Sequence, residues 1–483
     1  MIMKTILYPK AIICLLLNLI VFTGCKKLTT VDAPITSTND KTVFASDADA
    51  TSVLTNLYIG LSQGGIRASD NLMSLSVFGG LSADELILFP GQTDRGYEAH
   101  YENNLSVTTP GAANYWSKCY NAIYVTNMVL EQLPDNNLLS PAVKSQLLGE
   151  AYFMRAFNYF YLINIYGDVP LNLTTDYEKN RVRPRTPKAD VYEQIVSDLT
   201  MAENLMRPDY INSKHLSTSE RTRPNRYAAI ALLSRAYLYM GRYSEAEAQA
   251  NEIISNNSVY QLEDAPYAFI KESKEIIWSI QSVSTDITNT TDANFFIPDE
   301  ADLSFPEGGF PVTLDPELAD KLQPVDKRRI NWIGNVDIAG TNFYYPKKYK
   351  NDVTTSEVTE QTIVFRLAEQ YLIRAEARAK QGRLSGANSA ESDLNEIRTR
   401  AGLPGTTATG NEAAMMDAIL TERQVELFTE WGHRWFDLKR LGNADAILGP
   451  IKGSNWQTTD QLYLIPQEEI DANPGIRGHQ NPQ

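Results

Sequence analysis

The sequence predicts a mostly α-helical fold: stacked helical hairpins form a scaffold, and a loop-rich, irregular cap on it carries minor β structure. Three observations predict it. Long amphipathic stretches follow one another with apolar residues three and four apart, as in 112–133 and 141–166. One helix–turn–helix pattern occurs twice, at 235–246 and 376–387. Two segments, about 62–111 and 258–362, break the helical period with Gly, Pro, Asn and isolated aromatic residues.

The elements follow in order. Residues 1–24 read as a secretory leader: Lys4 and Lys10, then an apolar run over 11–22, then Thr23-Gly24 before Cys25. The run is short of the ~20 residues that span a membrane. A cysteine directly after small residues resembles a bacterial lipobox, with Phe22 where that pattern prefers leucine. Acylation of Cys25 is therefore expected, each buried CH₂ contributing about 0.8 kcal/mol to anchoring. Residues 25–44 are polar and read as a tether. Residues 45–483 are expected to form one domain with the two irregular segments as insertions.

Helical periodicity starts near Asp47, with Ser46 or Asp47 placed to cap 48–61. Residues 62–111 read as loops with one short strand. Helices follow over 112–133 and 141–166, the second ended by Gly167 and barred from resuming by Pro170. Residues 188–206 and 226–255 obey the same rule. Within 258–362, Glu275-Ile276-Ile277-Trp278-Ser279-Ile280 has β character. Helices are expected again over 362–400 and 411–441, before an irregular tail.

Composition narrows the function. The 483 residues carry a formal charge of -15, and without Lys4 and Lys10 the remaining 42 basic residues face 59 acidic ones, about −17. Such a surface argues against nucleic acid as a ligand. Cys14 leaves with the leader, so Cys119 stands alone as a small buried hydrophobe. His100, His215, His433 and His479 show no metal-ligand spacing. No cofactor is expected. Asp47 and Asp49 read as helix-capping acids, and the residues leave a structural calcium undecided.

The duplicated pattern shares Ala, Gly-Arg, an apolar residue, Ser and Ala: Ala236, Gly241-Arg242, Tyr243, Ser244, Ala246, and again Ala377, Gly382-Arg383, Leu384, Ser385, Ala387. It resembles the tetratricopeptide repeat, in which small residues let two antiparallel helices approach and glycine turns the chain.

Longer motifs carry a family resemblance. They are Glu150-Ala151-Tyr152-Phe153-Met154-Arg155-Ala156-Phe157-Asn158-Tyr159-Phe160-Tyr161, running on to Tyr166-Gly167-Asp168-Val169-Pro170-Leu171; Thr186-Pro187 with Val191-Tyr192; Phe365-Arg366-Leu367-Ala368-Glu369-Gln370-Tyr371-Leu372-Ile373-Arg374-Ala375-Glu376-Ala377; Glu430-Trp431-Gly432-His433-Arg434-Trp435-Phe436-Asp437-Leu438-Lys439-Arg440; and Ile465-Pro466, Asn473-Pro474 and Gln480-Asn481-Pro482. In this order they resemble the SusD/RagB-like lipoproteins of Bacteroidetes outer membranes. The resemblance implies a helical-repeat scaffold with a loop-rich cap. It also implies a surface lipoprotein that binds glycans, hands them uncleaved to a SusC-like TonB-dependent outer-membrane transporter, and sits on the outer membrane through its lipid. Family members exported to the outer face often carry acids after the acylated cysteine, whereas Lys26-Lys27 stand here and Asp32 is the first acid.

Glu422, Arg423, Glu426, Glu430, Arg434, Asp437 and Arg440 fall at three- and four-residue spacings, which suits ion pairs rather than catalysis. A glycan site needs aromatic platforms beside side chains that pair with hydroxyls, and loops on a rigid scaffold are where these are best displayed. Two segments qualify. The first, 84–101, offers Asp84, Phe89, Gln92, Asp94, Arg95, Tyr97 and Tyr101. The second, 295–349, offers Phe296, Phe305, Phe310, Asn331, Trp332, Phe343, Tyr344 and Tyr345. Trp332, among polar neighbours, is the first expectation, followed by Tyr97 and Tyr344. Peptide or glycopeptide capture is the alternative within the family. A glycoside hydrolase would need two carboxylates ~5–10 Å apart, and no hydrolase motif of the G-x-S-x-G or H-E-x-x-H type occurs. A protein-docking scaffold without ligand is the remaining reading.

Overall fold

The computed structural model describes residues 43–298, 311–351 and 357–482. The leader, Cys25 with the tether to residue 42, Phe305 and Phe310 lie outside them.

The chain opens with α1 (Asp47–Ser62), whose N-cap Ser46 accepts from the Asp49 N–H. Then come α2 (Leu75–Ser82), strand β1 (Leu86–Leu88) and α3 (Arg95–Tyr101). Four long scaffold helices follow: α4 (Asn114–Gln132), α5 (Pro141–Tyr166), α7 (Lys188–Leu205) and α8 (Arg226–Tyr239), with the one-turn α6 (Tyr177–Asn180) in the loop after α5. The second half begins with α9 (Tyr243–Ser255) and β2 (Ile276–Ile280). The cap elements are α10 (Thr291–Phe296), β3 (Val312–Leu314), α11 (Pro316–Lys321), α12 (Lys327–Trp332), β4 (Ile333–Ile338) and β5 (Thr341–Pro346). After β6 (Thr362–Arg366) come α13 (Leu367–Lys380), α14 (Ala390–Arg400), α15 (Glu412–Leu427), α16 (His433–Arg440), α17 (Ala444–Lys452) and α18 (Gln467–Ala472).

Neighbours in the scaffold succeed one another as α4, α5, α7, α8, α9, α13, then α14 and α15. This is the one-dimensional stacking of helical repeats. Helix α5 is its axis. From Glu150 to Tyr166 all but Tyr152 are buried, and Pro141 at its start and Gly167 (φ 76) just past its end set its limits. Its buried polar groups are paired. Glu150 accepts from Arg223 at 2.7 and 2.8 Å and from the Tyr58 hydroxyl; Arg155 forks onto Asp198 at 2.8 and 2.7 Å.

The two hairpins share their turn. Gly241 and Gly382 take φ 72 and 77, and the Arg242 and Arg383 N–H groups reach back to the Tyr237 and Arg378 carbonyls at 2.8 and 2.9 Å. The copies then diverge. Ala246 is buried as expected, but Ala387 lies exposed in a loop. Gly386 and Asn388 both adopt left-handed backbone, and the Ser389–Ser392 capping box restarts the helix at Ala390, which takes the buried position.

Three further expectations are corrected. Residues 362–366 form a strand, β6, antiparallel to β2, because Thr, Ile, Val and Phe suit a pleated surface and Ile276–Ile280 offers a partner. Residues 411–441 are two helices, not one. The chain turns at Thr429 (φ 52), Trp431 (φ 48) and Gly432 (φ 73), held by bonds from the Trp431 N–H to Ser76 Oγ and from its indole N–H to the Ile363 carbonyl. Segment 62–111 contains two helices besides its strand. Gly79 belongs to α2, where a Cβ would lie 3.1 Å from Gly432 Cα. The glycine serves close packing there, not a loop.

A candidate ligand face on the cap

Strand pairing joins the two irregular segments. β1 lies antiparallel to β3, with Leu86 opposite Leu314 and Leu88 opposite Val312, and the Phe89 N–H extends the ladder to the Pro311 carbonyl. The hairpin β4–β5 turns at Ala339-Gly340, both with positive φ, as two-residue hairpins favour. Alternation along β5 puts Phe343 and Tyr345 on one face and Tyr344 on the other. The Phe343 ring meets Phe89 at 5.0 Å between centroids. Tyr344 lies instead near the Arg329 guanidinium, at 5.6 Å. The hairpin rings therefore do not make one platform.

A second cluster forms where α3 meets α10. Asp94 caps α3 by accepting from the Gly96 and Tyr97 N–H groups. Half-buried Tyr97 contacts Phe78 at 5.8 Å and Phe295 at 6.2 Å, and burial pushes its hydroxyl pKa up. The exposed Arg67 lays its guanidinium 5.3 Å from the Phe295 centroid and donates to the Asn294 side chain and carbonyl at 3.0 and 2.7 Å. Arg95 is exposed on the same short helix as Tyr97. Arg67 lies within the irregular segment 62–111 but outside both expected ligand segments, Asn294 lies just before the second, and Phe295 opens the second without being among its named rings. Arg67 sits in a one-turn 3₁₀ element with no aromatic neighbour along the chain, so no local signal marked it.

Other expected residues are committed elsewhere. Trp332 is 0% exposed and donates its indole N–H to the Ala265 carbonyl at 2.7 Å, so it offers no face to a ligand in this structure. Its polar sequence neighbours misled because Trp332 ends α12 and turns into the core, while Asn335 is exposed on β4 just after it. Asp84 is gripped by Arg434 at 2.7 Å through both oxygens. Burial alone would raise its pKa, but Arg434 holds it below the ordinary value. Asn331 donates to the Lys327 carbonyl one turn back. Phe89 is 8% exposed, and Tyr101 is half-buried with the Lys452 ammonium 4.2 Å from its ring. The family-bearing acids and bases are paired too: Arg423 with Asp437 and Arg440 with Glu376 and Asp437.

Beside Asp84, buried Glu85 has its pKa pushed up to about 8, first by desolvation and then by the Asp84 charge. One of its oxygens accepts from the Thr429 N–H at 3.3 Å; the other has no donor among the described residues. The folded chain thus holds a proton here that the unfolded chain releases near the ordinary 4.5, and stability falls as pH rises from there through 8. Glu85→Gln keeps an acceptor and removes the charge. It is expected to raise the melting temperature at about pH 9 and leave it nearly unchanged at about pH 5. Equal shifts at both pH values in thermal melts would refute the assignment.

Two larger hollows open on the scaffold: one of about 660 Å³ between α1 and α4, and one of about 370 Å³ between α4, the loop after α5, and α18.

Comparison with known proteins adds three findings. A family profile described as "Starch-binding associating with outer membrane" matches residues 36–238, and one described as "SusD family" matches 333–483. SusD-like protein P38 of Formosa agariphila is 23% identical over 428 residues, 77% of this chain and 81% of that one. Two solved structures superpose with TM-scores of 0.74. One, titled a laminarin-binding SusD-like protein, is 24% identical and covers 91% of this chain and 100% of its own. The other is surface glycan-binding protein A from Bacteroides uniformis, 20% identical, covering 90% of this chain and 99% of its own. At these identities the structures establish the shared fold.

Proposed function

Because the chain belongs to the SusD/RagB-like family, we propose that it is a lipid-anchored outer-membrane protein. It captures poly- or oligosaccharide at its cell-surface cap and passes it to a SusC-like TonB-dependent transporter. The observation that carries the reading is Tyr97 beside Arg67, where strand-paired segments bring a half-buried ring and an exposed guanidinium together over the buried Phe295. The open side of the Tyr97 ring suits the C–H face of a sugar, and the Arg67 guanidinium, oriented by its bonds to Asn294, adds a polar rim beside it. Similar proteins named for laminarin or surface glycan binding support the ligand class.

A non-catalytic role fits the acids that gather in space. Glu275, Glu422, Glu426 and Glu430 are buried, and each is paired with arginine or lysine. The test is affinity electrophoresis against a panel of soluble polysaccharides that includes laminarin, with a peptide library alongside. Retardation by a glycan, weakened about tenfold by Tyr97→Ala or Arg67→Ala, is expected. New reducing ends in the retained glycan would make the protein an enzyme, and peptide binding alone would move it to the peptide-capture branch.

The anchor has its own test. Cys25→Ala is expected to move the protein from the membrane pellet to the soluble fraction, since loss of acyl chains removes about 0.8 kcal/mol per buried CH₂. Persistence in the pellet, with unchanged fatty-acid labelling, would sink the lipidation proposal.

A further inference from the structure

We propose a second saccharide-binding site on the helical scaffold, separate from the cap, in the hollow of about 370 Å³ between α4, the loop after α5, and α18. Its size lies within the ~300–1,000 Å³ of small-molecule sites.

Two tyrosines line it and remain open to water: Tyr124 is 52% and Tyr177 71% exposed. Rings displayed beside a concavity offer flat faces on which a sugar ring can stack. The floor is apolar, made by Trp116 and Tyr120 with ring centroids 5.1 Å apart. The walls are amides. Asn172 and Asn180 each leave a side-chain oxygen with no donor among the described residues, although both oxygens are turned from bulk water. An acceptor left unmet and turned from water is unfavourable, so a donor that reaches it gains. The terminal torsion of asparagine is soft, which leaves the Asn172 oxygen free to turn toward a hydroxyl in the hollow, while the Asn180 amide is held by its 2.7 Å bond to the Thr174 carbonyl.

The wall is held before any ligand arrives. The Tyr159 hydroxyl clamps the Asn172 backbone, accepting from its N–H at 2.7 Å and donating to its carbonyl at 2.9 Å. Asn127 also donates to that carbonyl, at 3.0 Å, and is itself fixed by Arg155. The Thr175 N–H is tied to Glu131 at 2.9 Å. Little ordering cost is then left for binding. The one cation and the one anion of the lining, Arg181 and Glu469, give the hollow no dominant sign. With rings, amides and no excess charge, the chemistry fits a neutral sugar unit better than a phosphate or an amine.

The experiment is saturation-transfer NMR on the full mature chain with millimolar glucose, galactose, mannose and N-acetylglucosamine. Three proteins are compared: the parent, Tyr124→Ala with Tyr177→Ala, and the cap variant Tyr97→Ala with Arg67→Ala. At least one sugar should show transfer that falls about fivefold or more in the scaffold variant and persists in the cap variant. Tyr177→Phe, which keeps the ring, should retain it. Both tyrosines are exposed, so the variants should fold, and circular dichroism checks this. No transfer from any sugar, or transfer indifferent to the scaffold variant, overturns the proposal. Transfer lost only in the cap variant overturns it while leaving the cap reading intact.

Discussion

Replacing Arg366 by methionine is expected to destabilise the protein by about 3–5 kcal/mol, the range for removing one partner of a buried ion pair. All five N–H donors of Arg366 are used. It donates to Glu430 at 2.8 and 2.9 Å, to the Glu426 side chain at 2.6 Å and carbonyl at 2.7 Å, and to Glu275 at 3.4 Å. These acids also hold Arg328, Arg400 and Lys348, so one buried network joins β6, α12, α14 and α15. Burial by itself would raise the Glu426 pKa, but Arg400, Arg366 and Arg328 outweigh it and hold the group far below the ordinary carboxylate range. Glu430 is lowered for the same reason by Arg366 and Lys348. Depressed acids contribute stability above their unfolded pKa near 4.5 and lose it as pH falls through the folded value. Arg366→Met should therefore shift the denaturation midpoint most at neutral pH and progressively less in acid. Arg366→Lys should not rescue it, because a point charge cannot fork across two carboxylates. A variant with parent-like stability would mean that the network contributes little beyond its own desolvation cost.

Trp332→Ala is expected to cost about 3–5 kcal/mol, the range for truncating a buried aromatic. Its ring meets Phe269 edge to face at 5.3 Å, and Lys348, Arg400 and Arg366 lie 5.2, 5.0 and 5.9 Å from its centroid. Truncation leaves a cavity beside these charges and frees the Ala265 carbonyl. Glycan retardation in the folded fraction, measured well below the lowered melting temperature, should persist. If the variant melts like the parent but no longer binds, Trp332 contacts the ligand after all.

The contrast between Trp332 and Arg67 explains what sequence reading reached. Trp332 stands among polar residues and reads as displayed; it is buried because Ala265, Phe269 and Arg400 close over it from distant parts of the chain. Arg67 reads as an ordinary loop base, and gains its meaning from Asn294, 227 positions away. The family motifs behaved differently. Glu150, Arg155, Glu369 and Glu376 are all buried and paired with Arg223, Asp198, Arg235 and Arg440. These motifs build the scaffold, and a reading based on them reaches the fold and stops short of the ligand.

By itself the sequence determined the helical scaffold, the glycine turns at 241 and 382, the end of α5 at Gly167, and the family. The first three are written in neighbours a few residues apart, through periodicity, capping and φ preference, and the family in the order of its motifs along the chain. Only the tertiary structure decided that 362–366 pairs as a strand, that the helix after Gly382 restarts at Ala390, and which rings face water. Exposure and ion pairing are properties of contacts between distant segments, and the local pattern of a chain does not encode which distant segment will arrive.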